Sequence, residues 1–432
     1  MKRLAKSTVV LATALLSTAA IATNGDNLIG QGPVTRGMGG LGIGLPVETD
    51  SIFKNPAWIS EYEGTIVSFG GTLFMPNVKA NVKNMVLQLD TNGDGTPDIQ
   101  NPVSTGGDVK SQADTFLVPE IALIKRVGEN LTFGLGAFGV SGLGADYRNT
   151  KQALSQMNTL FQYLSFVPSL SYNTDGFYLG AGLNIAYGML SIGAVTCDQT
   201  APGVIDAPGG NPKCSQAGSG PSSDIGTGYI VGVGYKIGSF TIGLNYQSEV
   251  AMTYERVFDF DRDGVYDDLK LNQPAEYGIG VGATFGSLRV GADWKTIKWS
   301  DADGYKEFGW EDQDVIALGA EYKAGRTTLR LGYNHGNSPI KNVNKKGMGT
   351  FTPKEVNNSY MNLVGFPAVA EDAYTIGLGY TFTGGFSLDF AYTYIPEGTA
   401  THKYGIMNEG DAFDATAKNQ QDAFTAAFRY NF

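Results

Sequence analysis

The sequence predicts an all-β protein, a transmembrane antiparallel β-barrel of about fourteen strands with an N-terminal plug in its lumen. Segments of roughly nine to thirteen residues alternate between apolar and small or polar side chains, often with aromatic ends. Short turns and long polar loops follow one another in alternation, which is typical of outer-membrane barrels. A glycine-rich run without alternation precedes the first strand and predicts the plug.

The alternation is clearest at the C-terminal end of the chain. In the stretch DAFTAAFRYNF, the apolar positions are Phe424, Ala426, Phe428, Tyr430 and Phe432, and the positions between them are mostly small or polar. A soluble β-sandwich also alternates, but its strands need only about five or six residues. A tilted membrane span needs about nine to eleven, so the longer segments favour the membrane barrel.

Counting along the chain gives the individual strands. We expect them near 64–75, 113–127, 131–141, 161–173, 177–190, 226–237, 239–254, 275–285, 287–299, 313–323, 326–336, 372–382, 385–395 and 421–432. An even number places both chain ends on the periplasmic side. The segments 113–127 and 161–173 alternate least clearly, because Pro119, Glu120 and Pro168 interrupt them.

Residues 1–22 are predicted to be a signal peptide. Lys2, Arg3 and Lys6 precede an apolar run that ends in an Ala20-Ile21-Ala22 cleavage site. The alternative is a membrane anchor, but a helix of about 15 residues spans only about 22 Å of a core about 30 Å thick. Export and a barrel together predict a multi-pass protein of the bacterial outer membrane.

The net charge and composition indicate which classes of partner the protein is expected to bind. The net charge is −11, or −14 once the three basic residues of the signal are removed, and no basic stripe is present, so nucleic acid is not an expected partner. The expected partners are a hydrophobic small molecule and the outer-membrane lipids.

The plug is assigned to residues 23–60 and the barrel with its outer loops to 61–432. Irregular backbone cannot face lipid, because each unpaired amide there costs several kcal/mol, whereas glycine allows close packing inside a lumen. The alternative, a disordered periplasmic tail, would leave Ile52, Phe53, Trp58 and Ile59 in water.

Four stretches resemble a known family. They are GQGPVTRGMGGLGIG at 30–44, DSIFKNPAWIS at 50–60, LRLGYNHGNSPI at 329–340 and FPAVAEDAYTIGLGYTF at 366–382. These stretches are similar to the FadL/TodX-type (OMPP1) transporters, which carry long-chain fatty acids and hydrophobic hydrocarbons across outer membranes. The likeness extends over the whole mature chain.

The resemblance implies a hatch in the lumen, with Asn55, Pro56 and Ala57 as its motif, and a monomer. It also implies a kinked third strand that opens the wall sideways, for which the candidates here are Gly139, Gly142 and Gly144. The alternative is that these glycines only make room for the plug. A histidine frequent before the YTIGLGY strand is replaced here by Asp372 or Ala373, which puts any role of that histidine in doubt.

A fatty-acid carboxylate would need a cation inside the barrel, preferably an arginine. The candidates are Arg330, Lys295 and Arg148. The alternative is that they pair with acidic residues of the wall or the plug. The loop segment 151–164 has apolar residues at helical spacing and predicts an outer-loop helix, either a landing groove for apolar molecules or a lid.

Two loops carry alternating acidic residues with a glycine, a pattern typical of Ca²⁺ loops. The candidate ligands are Asp90, Asn92, Asp94 and Asp98 in one loop, and Asp259, Asp261, Asp263 and Asp267 in the other. Neither loop has the glutamate of an EF-hand, and ordinary solvated turns are the alternative. No cofactor is required, and Ca²⁺ is expected only in these outer loops.

Cys197 and Cys214 lie in one loop and predict a disulfide in an exported protein, with two free thiols as the alternative. With two histidines, His335 and His402, no catalytic arrangement can be placed, and we do not expect an enzyme.

The favoured function is passive, plug-gated transport of hydrophobic molecules, long-chain fatty acids above all, with lateral exit near the third strand. The alternatives are uptake of uncharged aromatic or aliphatic hydrocarbons, or a structural or adhesive surface barrel with calcium-binding loops. An open polar porin would not need residues 23–60.

Overall fold

The computed structural model describes residues 24–83, 85–89, 99–154, 156–197, 214–216, 218–259, 265–345, 353–405 and 412–432. Fourteen long strands in this part of the chain form one antiparallel barrel, in which each strand pairs with its neighbour along the chain and the last strand pairs with the first. The predicted fold class and strand number are therefore confirmed. The predicted signal peptide lies outside the described residues.

The barrel strands are β1 Thr65–Lys83, β2 Phe116–Arg126, β3 Leu131–Asp146, β4 Asn158–Thr174, β5 Phe177–Gly193, β6 Ser222–Ile237, β7 Phe240–Gln247, β8 Glu276–Phe285, β9 Leu288–Ile297, β10 Gln313–Ala324, β11 Thr327–Gly336, β12 Asp372–Thr381, β13 Phe386–Gly405 and β14 Ala412–Asn431. Shorter strands lie in the outer loops at Met85–Leu89, Ile99–Val103, Val109–Lys110, Val195–Cys197, Cys214–Gln216, Thr253–Phe258, Asp267–Lys270 and Val343–Lys345.

The alternation in the sequence is the inside–outside alternation of the wall. On β14, Phe424 and Phe428 are exposed on the outer face, whereas Thr425 and Ala427 between them are buried on the inner face. Successive side chains of a strand point to opposite faces, so the outer surface becomes an apolar band. Among the described residues, no helix has the length and apolarity to cross a membrane.

Three strands extend far beyond their predicted bounds, whereas the strand predicted at 239–254 is shorter and ends at Gln247. β1, β13 and β14 are 19, 20 and 20 residues long in total, and their outer ends extend into segments expected to be loops. In the outer part of β1 the alternation persists in a weaker form, with Val78, Ala80 and Val82 buried and polar or charged residues between them. A search for alternating strands rich in aromatic residues misses such segments, because their outward positions are polar or charged.

The described helices are short. They are α1 Pro33–Gly37, α2 Ser51–Lys54 and α3 Pro353–Gly365, with single 3₁₀ turns at Glu48–Asp50, Pro56–Glu61 and Gln152–Leu154. The helix predicted over 151–164 is wrong, since half of that segment is the start of β4 and only Gln152–Leu154 form a single 3₁₀ turn. Hydrogen bonds to β3 and β5 on both sides outweigh the helical spacing of its apolar residues.

Residues 24–60, called the plug from here on, lie inside the barrel and contact the inner wall around its circumference. They rest on inward-facing glycines, so that plug backbone lies where a wall side chain would stand. Such contacts join Gly37 to Gly377, Gly39 to Gly332, Gly44 to Gly280 and Pro56 to Gly180, and the Asn55 side chain lies in the same way against Gly232. The glycine-rich face of the strands is thus the surface against which the plug packs.

Candidate functional site

The Asn-Pro-Ala turn fixes the last part of the plug to the wall. The Asn55 side chain caps the following 3₁₀ turn by accepting from the Ala57 amide at 3.2 Å, and donates to the Ile43 carbonyl at 2.9 Å. It also lies within 3.3 Å of the carbonyls of Val233 and Leu244 on two wall strands. Its backbone is extended, as a residue before proline prefers. A fully buried asparagine thereby joins the plug to β6 and β7.

Asp293 of β9 holds a second part of the plug. Its carboxylate accepts three backbone amides in a row, from Gly42 and Ile43 at 2.8 Å and from Gly44 at 3.0 Å. Hydrogen bonds to an ionised acceptor are stronger than those to a neutral one. Because the glycines have no side chains, the loop can approach the wall closely enough to make all three.

We expect Gly280→Ala to prevent the plug from seating, because a Cβ at Gly280 would overlap the backbone of Gly44. Overpacking of this kind costs about 1–3 kcal/mol or more. The measurement is ion conductance of the purified barrel in planar bilayers, which should rise. The matched control is Gly291→Ala, whose Cβ would meet the tip of Leu41 at 3.0 Å, a side chain that can move aside. Equal conductance of the two variants would contradict the expectation.

The barrel wall is interrupted between β2 and β3. Their pairing runs from Arg126 and Thr132 to Glu120 and Phe138 and stops there, although both strands continue toward the outer side. Pro119, the next residue of β2, has no amide hydrogen to donate. In β3 the register to β4 shifts between Gly139 and Ser141, which marks a bulge. The two edges separate beyond this point.

The start of the plug takes the place of β2 as a partner of β3 above the break. The Leu28 amide donates to the Val140 carbonyl at 2.9 Å, and the Gly142 amide donates to the Asp26 carbonyl at 3.0 Å. Asn27 and Ser141 form an antiparallel bridge between these two bonds. Two backbone groups of β3 next to the break, the Val140 carbonyl and the Gly142 amide, are thus satisfied by the plug.

Apolar side chains close the break. Val118 of β2 packs against Gly139 of β3, and a Cβ on that glycine would meet the valine methyl. The ring of Phe138 lies 6.1 Å from that of Phe53 in the plug, edge to face. On the lipid side, a recess of about 300 Å³ extends over the break and reaches Phe138. No backbone hydrogen bond between β2 and β3 has to break for this point to open.

The three cations proposed for a carboxylate ligand are each paired with acidic residues. Arg330 is buried and donates to Glu321 and Asp389, both at 2.7 Å. Lys295 donates to Glu276 at 2.7 Å, and Arg148, which is exposed at the outer end of β3, pairs with Asp146 at 2.6 Å. Two more arginines extend the network around Arg330: Arg289 contacts Glu321 and the Pro46 carbonyl, and Arg429 contacts Asp389 and Glu48. The network ties the plug to five wall strands.

Two charged groups of the plug have strongly altered acidity. Burial raises the pKa of Asp26, whose carboxylate accepts from the Tyr305 hydroxyl, to about 7. Burial lowers the pKa of Lys54, which donates to the Ile29 carbonyl at 2.7 Å, to about 7. In both cases removal from water disfavours the charged form.

These shifts predict that the plug is held least firmly near pH 7. Asp26 binds its proton more tightly in the docked plug, so docking weakens as the pH rises from about 4 to about 7. Lys54 loses its proton more easily in the docked plug, so docking strengthens from about pH 7 toward 10.5. The urea concentration at which conductance rises should therefore pass through a minimum. Asp26→Asn should reduce the loss of docking between pH 4 and 7, to which buried Asp50 also contributes, and Lys54→Met should reduce the gain above pH 7. A flat profile in the unmodified protein would refute the prediction.

The remaining predicted site residues are placed as follows. Gly139 lies at the bulge and Gly142 bonds to the plug, whereas Gly144 remains in regular register with β4. Cys197 and Cys214 are direct cross-strand partners on two short antiparallel strands, a position compatible with the disulfide, which stays a prediction. Of the Ca²⁺ candidates, only Asp259 and Asp267 lie within the described residues, and the Ca²⁺ prediction stays untested. Asp372 is on the outer face, where it accepts from Tyr333 at 2.6 Å and contacts His335 at 2.9 Å.

Sequence reasoning missed several residues of the site. Asp26, Val118 and Asp293 acquire their roles from contacts with residues remote in the chain, such as the 249 to 251 positions between Asp293 and the amides it binds. The one local signal was the pair of proline and glutamate at 119–120, which blurs the alternation at the place where the wall breaks.

Comparison with known proteins relates the chain to one family. The model of the outer membrane protein transport proteins (OMPP1/FadL/TodX) matches residues 9–348. No curated protein sequence matches the chain significantly.

Solved structures of similar fold include a FadL homologue of Pseudomonas aeruginosa, with a TM-score of 0.70 and 17% identity over 94% of this chain and 100% of that one. The toluene transporter TbuX of Ralstonia pickettii has a TM-score of 0.61 and 18% identity, and the toluene transporter TodX of P. putida has 0.61 and 16%; each match covers 94% of this chain and 99% of the other.

Proposed function

The chain belongs to the outer membrane protein transport family (OMPP1/FadL/TodX), and we propose that it passes uncharged hydrophobic molecules from the outer face into the membrane through the break between β2 and β3. The family consists of transporters rather than enzymes. The protein is accordingly an outer-membrane β-barrel that transports hydrophobic compounds.

The observation that carries the lateral route is the loss of pairing beyond Glu120 and Phe138. An apolar molecule gains about 0.8 kcal/mol for each CH₂ group transferred from water into an apolar medium, so a sideways exit into lipid is favourable and an exit into the aqueous periplasm is not. Val118 and Phe138, backed by Phe53 of the plug, lie at the break, and the recess on the lipid side reaches Phe138.

The paired cations favour uncharged substrates over fatty acids. Arg330 and Lys295 would have to exchange an acidic partner for the ligand, at the cost of leaving a carboxylate unpaired inside the barrel. Two of the similar structures are toluene transporters, which agrees with this preference.

The test is uptake of labelled toluene and labelled oleate by cells that lack their own channels for them and express this protein. We expect Gly139→Phe to fill the break beside Val118 and to reduce toluene uptake about tenfold or more, since an added barrier of about 1.4 kcal/mol suffices. Ala292→Phe adds the same ring to the lipid face of β9 and is the control. Unchanged uptake by folded Gly139→Phe would rule out the lateral route, and oleate carried in preference to toluene would restore the fatty-acid assignment.

A further inference from the structure

A row of three lysines crosses the outer face of the barrel on its extracellular side. Lys79 of β1 lies directly opposite Lys418 of β14, and on the other side opposite Lys110. Val78 and Ala80 on either side of Lys79 are buried on the inner face, so the lysine belongs to the outer face. Like charges placed opposite one another destabilise a sheet, so a row of three lysines is expected to have negatively charged neighbours.

The acidic neighbours satisfy the lysines only partly. Lys79 pairs with Glu397 at 2.9 Å, Lys418 with Asp108 at 2.7 Å and Lys110 with Asp114 at 2.8 Å. All three lysine side chains remain between 29% and 54% exposed. Exposed pairs of this kind contribute only about 0–1 kcal/mol, so a doubly charged anion can compete for the ammonium groups.

The height of the row matches the headgroups of the outer leaflet. Met75 is the last apolar residue on the outer face of β1, and Lys79 follows four residues later. At about 3.3 Å per residue and a tilt of about 40°, the backbone of Lys79 lies about 10 Å above it. Lysine side chains bend toward such an interface while their stems cover apolar surface.

An apolar groove lies below the row on the same strands. Its volume is about 550 Å³, and its floor is formed by Gly71 and Ala426, which are register partners on β1 and β14. Larger side chains border it, among them Leu73, Phe424, Phe390 and Leu378. The two small residues therefore leave a depression in an otherwise bulky lipid-facing band, with a size suited to one small apolar ligand.

We propose that this wall binds one molecule of the phosphorylated glycolipid of the outer leaflet, lipopolysaccharide, with an acyl chain in the groove and a sugar phosphate on Lys79, Lys110 and Lys418. The lipid is identified from the side of the membrane on which the lysine row lies. The row lies on the side of the long loops, where the outer leaflet of an outer membrane carries lipopolysaccharide. The groove lies below the cations on β1 and β14, which fits a ligand that is apolar at one end and phosphorylated at the other.

The test uses the full mature chain, purified in detergent and titrated with rough lipopolysaccharide, with bound lipid counted by native mass spectrometry. The variant Lys79→Gln/Lys110→Gln/Lys418→Gln should weaken binding at least about tenfold, as expected if each lost charge removes about 1 kcal/mol. Ala426→Phe should weaken it separately by filling the groove. The control is Lys270→Gln/Lys306→Gln/Lys341→Gln, with the same change in net charge in loops away from the row.

The outcomes are distinct. Weaker binding in the first two variants and unchanged binding in the control support the site. Equal binding in all proteins, or equal losses in both lysine triples, overturns it. Phosphatidylglycerol bound as tightly as lipopolysaccharide would show a site for any anionic lipid and contradict the assigned source. Heat-shifted gel mobility verifies that each variant is folded. Should the triple lysine variant fail to fold, Ala426→Phe still tests the site, because it leaves the strand hydrogen bonds intact.

Discussion

Joining the plug to β3 by a disulfide is expected to abolish transport reversibly. Asn27 and Ser141 form an antiparallel bridge, and residues so placed have Cα atoms about 4.5–5.5 Å apart, within the range a disulfide requires. In Asn27→Cys/Ser141→Cys, with Cys197 and Cys214 replaced by serine, the oxidised barrel should keep the plug fixed across the break. Toluene uptake should fall at least about tenfold and return when the bond is reduced, because the closed path adds well over 1.4 kcal/mol to the barrier.

Each single cysteine variant, treated with the same oxidant and reductant, is the control. Asn27 also donates to Glu276 at 2.7 Å, so a loss caused merely by removing that bond would be present in the single variant and insensitive to reductant. Full uptake by the oxidised double variant, with the bond verified by peptide mapping, would mean that solute passes without movement of this segment.

Removing the Arg330 guanidinium should cost the barrel about 3–5 kcal/mol of stability, the usual result of breaking a buried ion pair from one side. Arg330→Met would leave Glu321 and Asp389 facing each other without their shared partner, in a site where the arginine is 3% exposed. Unfolding in urea, followed by tryptophan fluorescence, measures the loss. Arg289→Met removes a more exposed partner of Glu321 and should cost less.

The same variant separates a structural role from a ligand role. If Arg330 holds the wall and plug together, uptake of toluene and oleate per folded barrel should change by the same factor. A selective loss of oleate uptake, with toluene unaffected and stability retained, would identify Arg330 as the cation that binds a carboxylate.

The membrane environment made much of the fold predictable. Every lipid-facing position must be apolar and every backbone group paired, so strand number, order and facing could be derived from alternation alone. The same reasoning failed where lipid no longer constrains the side chains. The outer ends of β1, β13 and β14 carry lysines and threonines on their exposed face, and the sequence there was assigned to loops.

The site was predictable only in its location. Glycines in the third strand pointed to the break, and the Asn-Pro-Ala turn pointed to an anchored plug. The partners were not predictable, because Asp293, Val118 and Phe53 come together through closure of the barrel rather than through spacing along the chain. For the cations, residue type alone could not decide between a ligand and an ion pair; that decision required the positions of Glu321, Asp389 and Glu276.

The seam between β1 and β14 has a consequence for how the molecule is assembled. Its pairs include Thr72 and Thr425, which are 353 positions apart along the chain, and contacts between such distant residues form slowly. The plug immediately precedes β1 and fits tightly against glycines on nearly all sides. Once β1 and β14 have paired, the closed barrel has no opening wide enough for a segment that fits so closely to enter. Assembly should therefore proceed with the plug already folded against an open, curling sheet, and the final pairing of the seam should be the step that encloses it.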